Sequence, residues 1–182
     1  AIDGVCQALS ADIIVLATGS RPRSISEIPI DHEHVLDSDS ILSMIYLPRS
    51  LTILGGGVIA CEYAATFALL GVEVTLIDRA PRPLSFMDAE IVEVFQRSLE
   101  RQGGRFYVGQ TIKEVAWDGV SSVVARLANG MVVKSDKMLV ALGRQPNVEE
   151  LNLDAAGLTL DEKGRIFVNE FGQTVVPHIF AA

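Results

Sequence analysis

The stretch Leu51-Thr-Ile-Leu-Gly-Gly-Gly-Val-Ile-Ala-Cys-Glu-Tyr-Ala64 decides the fold of this chain. An apolar run leads into a glycine turn, and residues with helical preference follow. Gly55, Gly57 and Ala60 fit the pattern G-x-G-x-x-G/A. The first glycine permits a tight turn, the second lets the backbone approach a pyrophosphate, and the small third residue lets the helix pack close to the strand. The pattern therefore predicts a strand, a turn and a helix whose N-terminus offers unpaired N–H groups to phosphate.

The residues on both sides of the turn support this interpretation. The strand Leu51–Leu54 precedes it, a helix is predicted over Cys61–Leu70, Gly71 stops that helix, and a second apolar run, Val72–Ile77, follows. That run ends at Asp78, about 20 residues past the glycines, where this fold places an acid that binds ribose hydroxyls. We therefore predict a dinucleotide site. The alternative is a βαβ unit whose glycines only make a turn, and it leaves Asp78 without a role.

Composition narrows the class of protein. The 182 residues carry a net charge of −8 with a pI of about 4.8, which disfavours nucleic acid or an anionic membrane as a partner. No apolar run reaches the length of a membrane span. The two cysteines, Cys6 and Cys61, form no C-x-x-C pair, so a reducing, cytoplasmic compartment is expected. Because the sequence starts at Ala1 and stops at Ala182 within an apolar run, we expect a piece of a longer protein.

The rest of the chain predicts an α/β architecture, a parallel sheet in which a three-stranded β-meander replaces one crossover helix. The meander strands are expected over Thr111–Trp117, Ser122–Ala128 and Met131–Ser135, with turns at Asp118-Gly119 and Asn129-Gly130. Other predicted elements are a strand buried on both faces at Asp12–Ala17, a short helix at Ser40–Tyr46, and a helix at Glu90–Gln102 with an inward stripe of Ile91, Val94, Phe95 and Leu99.

Five motifs in this order resemble the class I pyridine nucleotide-disulfide oxidoreductase family of flavoproteins. They are ADIIVLATGSRP, LTILGGGVIACEYA, VTLID, ALGRQPN and the closing VPHIFAA, and together they span nearly the whole chain. The resemblance implies a Rossmann-like NAD(P)-binding domain over residues 46–141. Residues 1–45 and 142–182 would then be partial segments of an FAD-binding domain, which the family interrupts with this insert.

The resemblance also assigns roles to individual residues. Val58 and Ile59 belong to the nucleotide turn, and Glu62 would face the nicotinamide carboxamide. Thr18 and Gly19 would lie in a turn near the flavin adenylate, with Gly143 at the return crossing. The implied cofactors are NAD or NADP, with FAD in the longer parent protein, which the family implies is a homodimer through a further domain. No residue of this chain is assigned a catalytic or metal-binding role.

Within the family, the flanking stretches DSDSILS and PLSFMDAEI are most similar to the soluble transhydrogenase group, which passes hydride between NAD(H) and NADP(H) through flavin. A dihydrolipoamide dehydrogenase-like disulfide reductase is one alternative, distinguished by a C-x4-C pair further upstream. A stand-alone nucleotide-binding module is another. The piece alone is expected to be inactive, since it lacks the glycine motif and the Gly-Asp with which the family holds FAD.

Several residues allow two interpretations from sequence. Arg79 and Arg82 follow Asp78, so they either accept the extra phosphate of NADP or lie in a solvated loop. Cys61 is either a thiol activated near a helix N-terminus or, as we expect, a small buried hydrophobe. His32 and His34 suggest a metal site only weakly, because no third ligand lies nearby in sequence.

Overall fold

The computed structural model describes residues 7–182, so Cys6 lies outside the described residues. The helices are α1, Val58–Leu69, and α2, Ala89–Arg101, with short 3-10 helices at Ser40–Ser43, Glu149–Leu151 and Leu153–Ala156. The strands of the described part are, in chain order, β1 Ile14–Leu16, β2 Ser20–Pro22, β3 Val35–Asp37, β4 Ser50–Leu54, β5 Glu73–Ile77, β6 Arg105–Tyr107, β7 Ile112–Trp117, β8 Val123–Leu127, β9 Val132–Ser135, β10 Lys137–Val140, β11 Arg144–Pro146 and β12 Ile179–Ala181.

A parallel sheet of five strands in the order β3-β10-β4-β5-β6 forms the centre of the fold. From β4 the chain moves through α1 to β5 and through α2 to β6, while β10 and β3 lie on the other side of β4. The strand order therefore reverses beside the carboxyl end of β4. Ligands of open α/β sheets bind at such a switch point, and the glycine turn begins there.

Two apolar clusters cover the two faces of this sheet. Helices α1 and α2 cover one face, where Leu51, Ile53 and Leu76 lie fully buried among side chains that include Phe67 and Leu99. The β-meander covers the opposite face, against Leu54 and Ile77 among others. Burial on both faces explains why β4 and β5 are almost continuously apolar. The α/β class predicted from sequence is confirmed.

The β-meander β7-β8-β9 is antiparallel, as predicted. Asp118 Oδ1 accepts hydrogen bonds from the backbone N–H groups of Val120, Ser121 and Ser122, which fixes the first turn. Those bonds hold the pKa of Asp118 below its ordinary value. In the second turn Gly130 has a φ of +88°, a left-handed conformation that favours glycine.

The predicted inward stripe of α2 is partly wrong. Leu99 is buried and Phe95 packs against Phe106, but Ile91 is 54% exposed and Val94 is 67% exposed. Val92, which the prediction left out, is 1% exposed. The buried face therefore follows positions 92, 95 and 99, which share one side of a helix. Ile91 and Val94 each precede such a position by one residue and so lie about 100° round the axis.

Two further predictions need correction. Strand β1 is shorter than expected and is not buried on both faces, since Ile14 is 40% and Val15 61% exposed. In the described part of the chain β1 pairs only with β12, in a two-stranded sheet. The helix expected at Ser40–Tyr46 is a single 3-10 turn, Ser40–Ser43, because Met44 leaves the helical region with a ψ of 130°.

The chain divides into two compact units. The central unit, Pro22–Arg144, contains the five-stranded sheet, both long helices and the β-meander. The terminal unit contains the residues up to Arg21 together with Gln145–Ala182, including the β1-β12 pair. Strand β3 joins the parallel sheet beside β10.

Candidate functional site

The glycine turn connects β4 to α1 at the carboxyl edge of the sheet. Gly55 has a φ of +116°, and a Cβ there would press on the backbone of Ala141, whose carbonyl carbon would lie 3.1 Å away. Only glycine fits that position. Ala60 is fully buried, as expected for the small residue that lets α1 pack on the strands. Gly57 has an ordinary φ of −78°, and nothing lies within 4 Å of the position of a Cβ.

The N-terminus of α1 is open to a ligand. Gly57 is its N-cap, and no side chain caps it. The first intrahelical bond runs from the Cys61 N–H to the Gly57 carbonyl, at 3.0 Å. The N–H groups of Val58, Ile59 and Ala60 therefore have no partner within the helix. With the helix dipole they form a site suited to an anion.

Asp78 lies directly against the glycine turn. A Cβ on Gly56 would overlap the carboxylate oxygen Oδ2, with Asp78 Cγ at 2.9 Å and Pro83 Cα at 3.1 Å. Position 56 can be any residue in the G-x-G-x-x-G/A pattern. In this chain it must be glycine, because a side chain there would overlap the Asp78 carboxylate. Asp78 Oδ1 accepts a hydrogen bond from the Ala80 N–H at 3.2 Å, which leaves Oδ2 beside the turn.

The loop after Asp78 folds back over the turn. The Leu84 N–H donates to the Gly56 carbonyl at 2.7 Å. Arg82 Nη2 donates to the carbonyls of Ser85 and Met87, at 3.1 and 2.8 Å. Arg82 therefore holds its own loop in shape, and this loop forms one wall above the glycines.

A cleft of about 560 Å³, here called the aspartate cleft, opens beside Asp78. Its lining joins the ends of strands to the start of the meander and includes Arg23, Leu54, Asp78, Arg79, Lys113 and Leu142. Arg79 is exposed, so of the two arginines after Asp78 it is Arg79 that reaches this cleft. The cleft combines apolar walls with charged groups, as expected for a nucleoside-sized ligand.

A second cleft, of about 350 Å³, lies along the first turns of α1 and is here called the glutamate cleft. Its lining is Ser38, Ile59, Glu62, Tyr63, Thr66 and Arg144. Arg144 Nη1 donates to Asp39 Oδ1 at 2.7 Å and to Ser38 Oγ at 3.1 Å, and the Asp39 bond raises the pKa of the arginine. Burial, and then Asp39 and Glu62, raise the pKa of Tyr63, whose hydroxyl donates to the Ser38 carbonyl.

Cys61 is a buried hydrophobe, as predicted. It is 4% exposed, and its thiol points back toward the Gly56 carbonyl, 3.7 Å away. Burial, with smaller contributions from the charges of Asp78 and Glu62, raises the pKa of the thiol to about 12. An activated thiolate at this helix N-terminus, the alternative interpretation, is excluded.

The residues expected near flavin are divided between the units. Gly143, with a φ of +99°, belongs to the central unit, and its carbonyl accepts the Arg23 N–H at 3.0 Å. Thr18 and Gly19 belong to the terminal unit, where their carbonyls accept hydrogen bonds from Asn147, at 3.1 and 3.0 Å. Val58 is half-exposed and Ile59 partly buried, both in the first turn of α1.

The histidines pack locally. His34 stacks on Trp117 with ring centroids 3.7 Å apart, and its Nδ1 lies 3.3 Å from Asp31 Oδ2. His32 Nδ1 lies 3.7 Å from Asp37 Oδ2. Within residues 7–182 no group of three or more potential ligands is arranged to hold a metal ion.

Sequence reasoning missed Lys113 and Arg23 in the aspartate cleft and Ser38, Tyr63 and Thr66 in the glutamate cleft. Ser38 and Tyr63 lie in the stretches DSDSILS and LTILGGGVIACEYA but were given no role there, and the other three belong to no motif. One signal was available for Lys113. A meander that follows β6 must begin at the carboxyl edge of the sheet, near Asp78, and the Gln110 N–H does donate to the Asp78 carbonyl at 3.0 Å.

The parallel sheet, its switch point and the glycine turn define an α/β protein of the Rossmann-like class. The profile of the family described as pyridine nucleotide-disulphide oxidoreductase matches residues 2–182. The chain belongs to that family.

Curated relatives agree with this assignment. The chain is 42% identical over 179 residues to a protein named soluble pyridine nucleotide transhydrogenase from Colwellia psychrerythraea, covering 98% of the chain and 38% of the relative. It is 40% identical over 171 residues to dihydrolipoyl dehydrogenase from Bacillus subtilis, covering 94% and 37%. The chain thus spans less than two fifths of the length of these relatives.

Solved structures share the fold. LpdA from Mycobacterium tuberculosis superposes with a TM-score of 0.87 at 27% identity, covering 94% of this chain and 37% of that one. The flavoprotein disulfide reductase RclA from Escherichia coli superposes with a TM-score of 0.84 at 28% identity, covering 93% and 39%. Among the described residues, no helix combines the length and apolar character needed to cross a membrane.

Proposed function

We propose that this chain binds a nicotinamide dinucleotide across the glycine turn. It would do so as part of an FAD-dependent oxidoreductase that passes hydride between NAD(H) and NADP(H). The observation that carries the proposal is the placement of Asp78, whose carboxylate lies against Gly56 beside the uncapped N-terminus of α1. An acid next to an uncapped helix N-terminus is the arrangement that a ribose and a pyrophosphate require.

The glycine turn would hold the pyrophosphate. Gly57 leaves open space where a side chain would stand, and the first N–H groups of α1 supply hydrogen bonds to an anion. Asp78 would accept hydrogen bonds from the hydroxyls of the adenosine ribose. The apolar walls of the aspartate cleft, including Leu54 and Leu142, would then enclose the adenine ring.

The glutamate cleft would receive the nicotinamide end. Glu62 is exposed one turn into α1, where it would orient the carboxamide of the ring. Arg144 is fixed by Asp39 and Ser38, so it would form a rigid wall of this cleft. Val58, half-exposed on the first turn, leaves the approach to the ring open.

Flavin would supply the hydride chemistry when bound, while this chain supplies binding and orientation. We assign Thr18, Gly19 and Gly143 to the flavin side, and residues 1–45 and 142–182 to an FAD-binding domain around an NAD(P)-binding domain at 46–141. The relatives named soluble transhydrogenase support the reaction, and the flavoprotein RclA supports the cofactor. We also propose a homodimeric, cytoplasmic parent protein.

A disulfide reductase resembling dihydrolipoyl dehydrogenase is the second candidate, favoured by the 40% identity to the Bacillus protein. That reaction needs a pair of redox-active cysteines. The sequence has two cysteines, Cys6 and Cys61, whose spacing is not that of a C-x4-C pair, and Cys61 is buried with a raised pKa. A stand-alone nucleotide-binding module is the third, non-enzymatic candidate.

One assay separates these candidates. The complete, flavin-loaded protein is supplied with NADPH and an NAD analogue, without any thiol or disulfide substrate. A transhydrogenase reduces the analogue in proportion to enzyme concentration. Turnover only when a lipoamide-type disulfide is added would favour the disulfide reductase. No turnover with either acceptor would favour the third candidate, a nucleotide-binding module without enzyme activity.

A further inference from the structure

The aspartate cleft carries a local excess of positive charge in an acidic protein. Arg23, Arg79 and Lys113 line it, against the two acids Glu27 and Asp78. The sequence as a whole has a net charge of −8. The excess of positive charge is therefore particular to this cleft, because the net charge of the whole sequence is negative.

In the part of the chain that the structure describes, two of the three cations that line the aspartate cleft, Arg79 and Lys113, form no ion pair with a neighbour. Among the interactions of residues 7–182, the side chains of Arg79 and Lys113 have neither a hydrogen bond nor an ion pair. The two acids accept hydrogen bonds from neutral groups, Glu27 from the Ser26 hydroxyl at 3.0 Å and Asp78 from the Ala80 N–H, so both keep their negative charge. Three cations against two acids leave the lining with one positive charge in excess.

Lys113 reaches this position because the start of the β-meander is tied to the acid. The Gln110 N–H donates to the Asp78 carbonyl at 3.0 Å, and the Gly109 N–H donates to the Ala80 carbonyl at 2.8 Å. These two bonds fix the segment that leads into β7, whose second residue is Lys113. Arg79, on the other side, is adjacent to Asp78 in sequence.

The Arg82 side chain contacts its own loop. Its Nη2 is taken up by the carbonyls of Ser85 and Met87, and its Nη1 is buried without a partner. It does not line the aspartate cleft, whose cations are Arg23, Arg79 and Lys113.

We propose that Lys113, together with Arg79, binds the adenosine 2′-phosphate of NADP(H), and that Lys113 determines how well the site accepts NADP(H) relative to NAD(H). This inference rests on the proposed function. Asp78 alone disfavours a 2′-phosphate through charge repulsion. Two unpaired cations offset that repulsion and also let the same site bind NAD(H), whose ribose diol uses Asp78. Arg82 is a positioning residue for the loop.

Calorimetric titration of the complete protein with NADH and with NADPH tests this inference. We expect Lys113→Met to raise the Kd for NADPH about tenfold relative to the Kd for NADH, because the variant loses one hydrogen bond from a charged group to the 2′-phosphate. Lys113→Arg keeps the ratio within about threefold of wild type, since the charge remains. Lys134→Met, at an exposed position of strand β9 in the same meander and outside the cleft lining, is the matched control and leaves the ratio unchanged. Arg82→Ala weakens both cofactors together.

The salt dependence gives an independent readout. NADPH affinity should fall more steeply than NADH affinity as ionic strength rises, and Lys113→Met should reduce that difference, because screened charge contacts are what the variant removes. A wild-type protein that binds NADH but not NADPH overturns the inference, as does a Lys113→Met variant with an unchanged ratio; both leave the proposed function standing. A folded protein that binds neither cofactor overturns the proposed function itself.

Discussion

At the scale of single residues, the contact between Gly56 and Asp78 couples the turn to its acid. A Cβ at position 56 would overlap the carboxylate and lie 3.1 Å from Pro83 Cα. The carboxylate can be displaced only by disturbing the bond from the Ala80 N–H that holds it. The position of the Asp78 carboxylate therefore depends on the absence of a side chain at residue 56.

We predict that Gly56→Ala lowers the free energy of unfolding by about 1–3 kcal/mol, the usual cost of overpacking. Chemical denaturation followed by circular dichroism measures it. Because the carboxylate is the main obstacle, Asp78→Ala should relieve part of that cost in the double variant, a non-additivity expected of residues in contact. Strictly additive effects would show that the two groups do not touch.

Cys61 provides a second prediction at this scale. With a pKa of about 12, the thiol of the folded protein stays protonated at pH 8 and should resist maleimide, then react fully once urea unfolds the chain. A Cys6→Ser background isolates the signal in mass spectrometry. Rapid labelling of the native protein would contradict the buried position.

The same pKa shift predicts a pH dependence of stability. Because the folded pKa is raised above the ordinary value of 9.0, the stabilising contribution of the protonated thiol is fully present below pH 9.0 and is lost as the pH rises toward about 12. Over that window the wild type should lose stability relative to Cys61→Ala, measured by denaturation at each pH. Parallel profiles for the two proteins would contradict the shift.

At the scale of elements, α2 shows how a helical stripe can be predicted one residue out of place. Apolar residues at 91, 92, 94, 95 and 99 allow two overlapping stripes, and hydrophobicity alone does not choose between them. The choice is made by contacts outside the helix, such as Phe95 with Phe106 on β6.

Valine substitutions on α2 test this assignment. Val92→Ala should lower the free energy of unfolding by about 2 kcal/mol, as expected for a cavity in the core. Val94→Ala, the same chemical change on the exposed face, should alter it by less than about 0.5 kcal/mol. Urea denaturation of both variants measures the difference. Equal losses of stability would contradict the assignment of Val92 to the buried face and Val94 to the exposed face.

The strands and the meander were predictable because their signals are local. Apolar runs mark β4, β5 and the meander strands, and Asp118-Gly119 and Asn129-Gly130 mark the meander turns, whereas the short strands β2 and β11 contain no apolar run and were not predicted. The candidate site was predictable only in part, because only some of its residues belong to local sequence motifs. Asp78 and the glycines belong to one sequence motif, whereas Lys113 reaches the aspartate cleft through backbone bonds of Gly109 and Gln110 that no motif encodes.

At the scale of the whole molecule, the central unit carries the dinucleotide proposal. Its sheet, glycine turn, aspartate cleft and glutamate cleft all lie within Pro22–Arg144. The burial of β1 could not be predicted from its composition, because an apolar run does not say which layers cover it. Family membership covers residues 2–182, while the curated relatives are more than twice as long, so their full reactions are proposals for this protein.

The central claim is that the glycine turn binds the pyrophosphate of a nicotinamide dinucleotide, and Gly57→Ala tests it most directly. The backbone of Gly57 has an ordinary φ and nothing lies within 4 Å of an added Cβ, so the change in the free energy of unfolding should stay below about 1 kcal/mol. The measurement is a calorimetric titration of wild type and variant with NADH. We predict one saturable site in the wild type and an affinity at least about tenfold lower in a variant that is equally well folded, since the methyl group fills the space the phosphate needs. Equal NADH affinity in the two proteins, or no binding to folded wild type, would contradict the account.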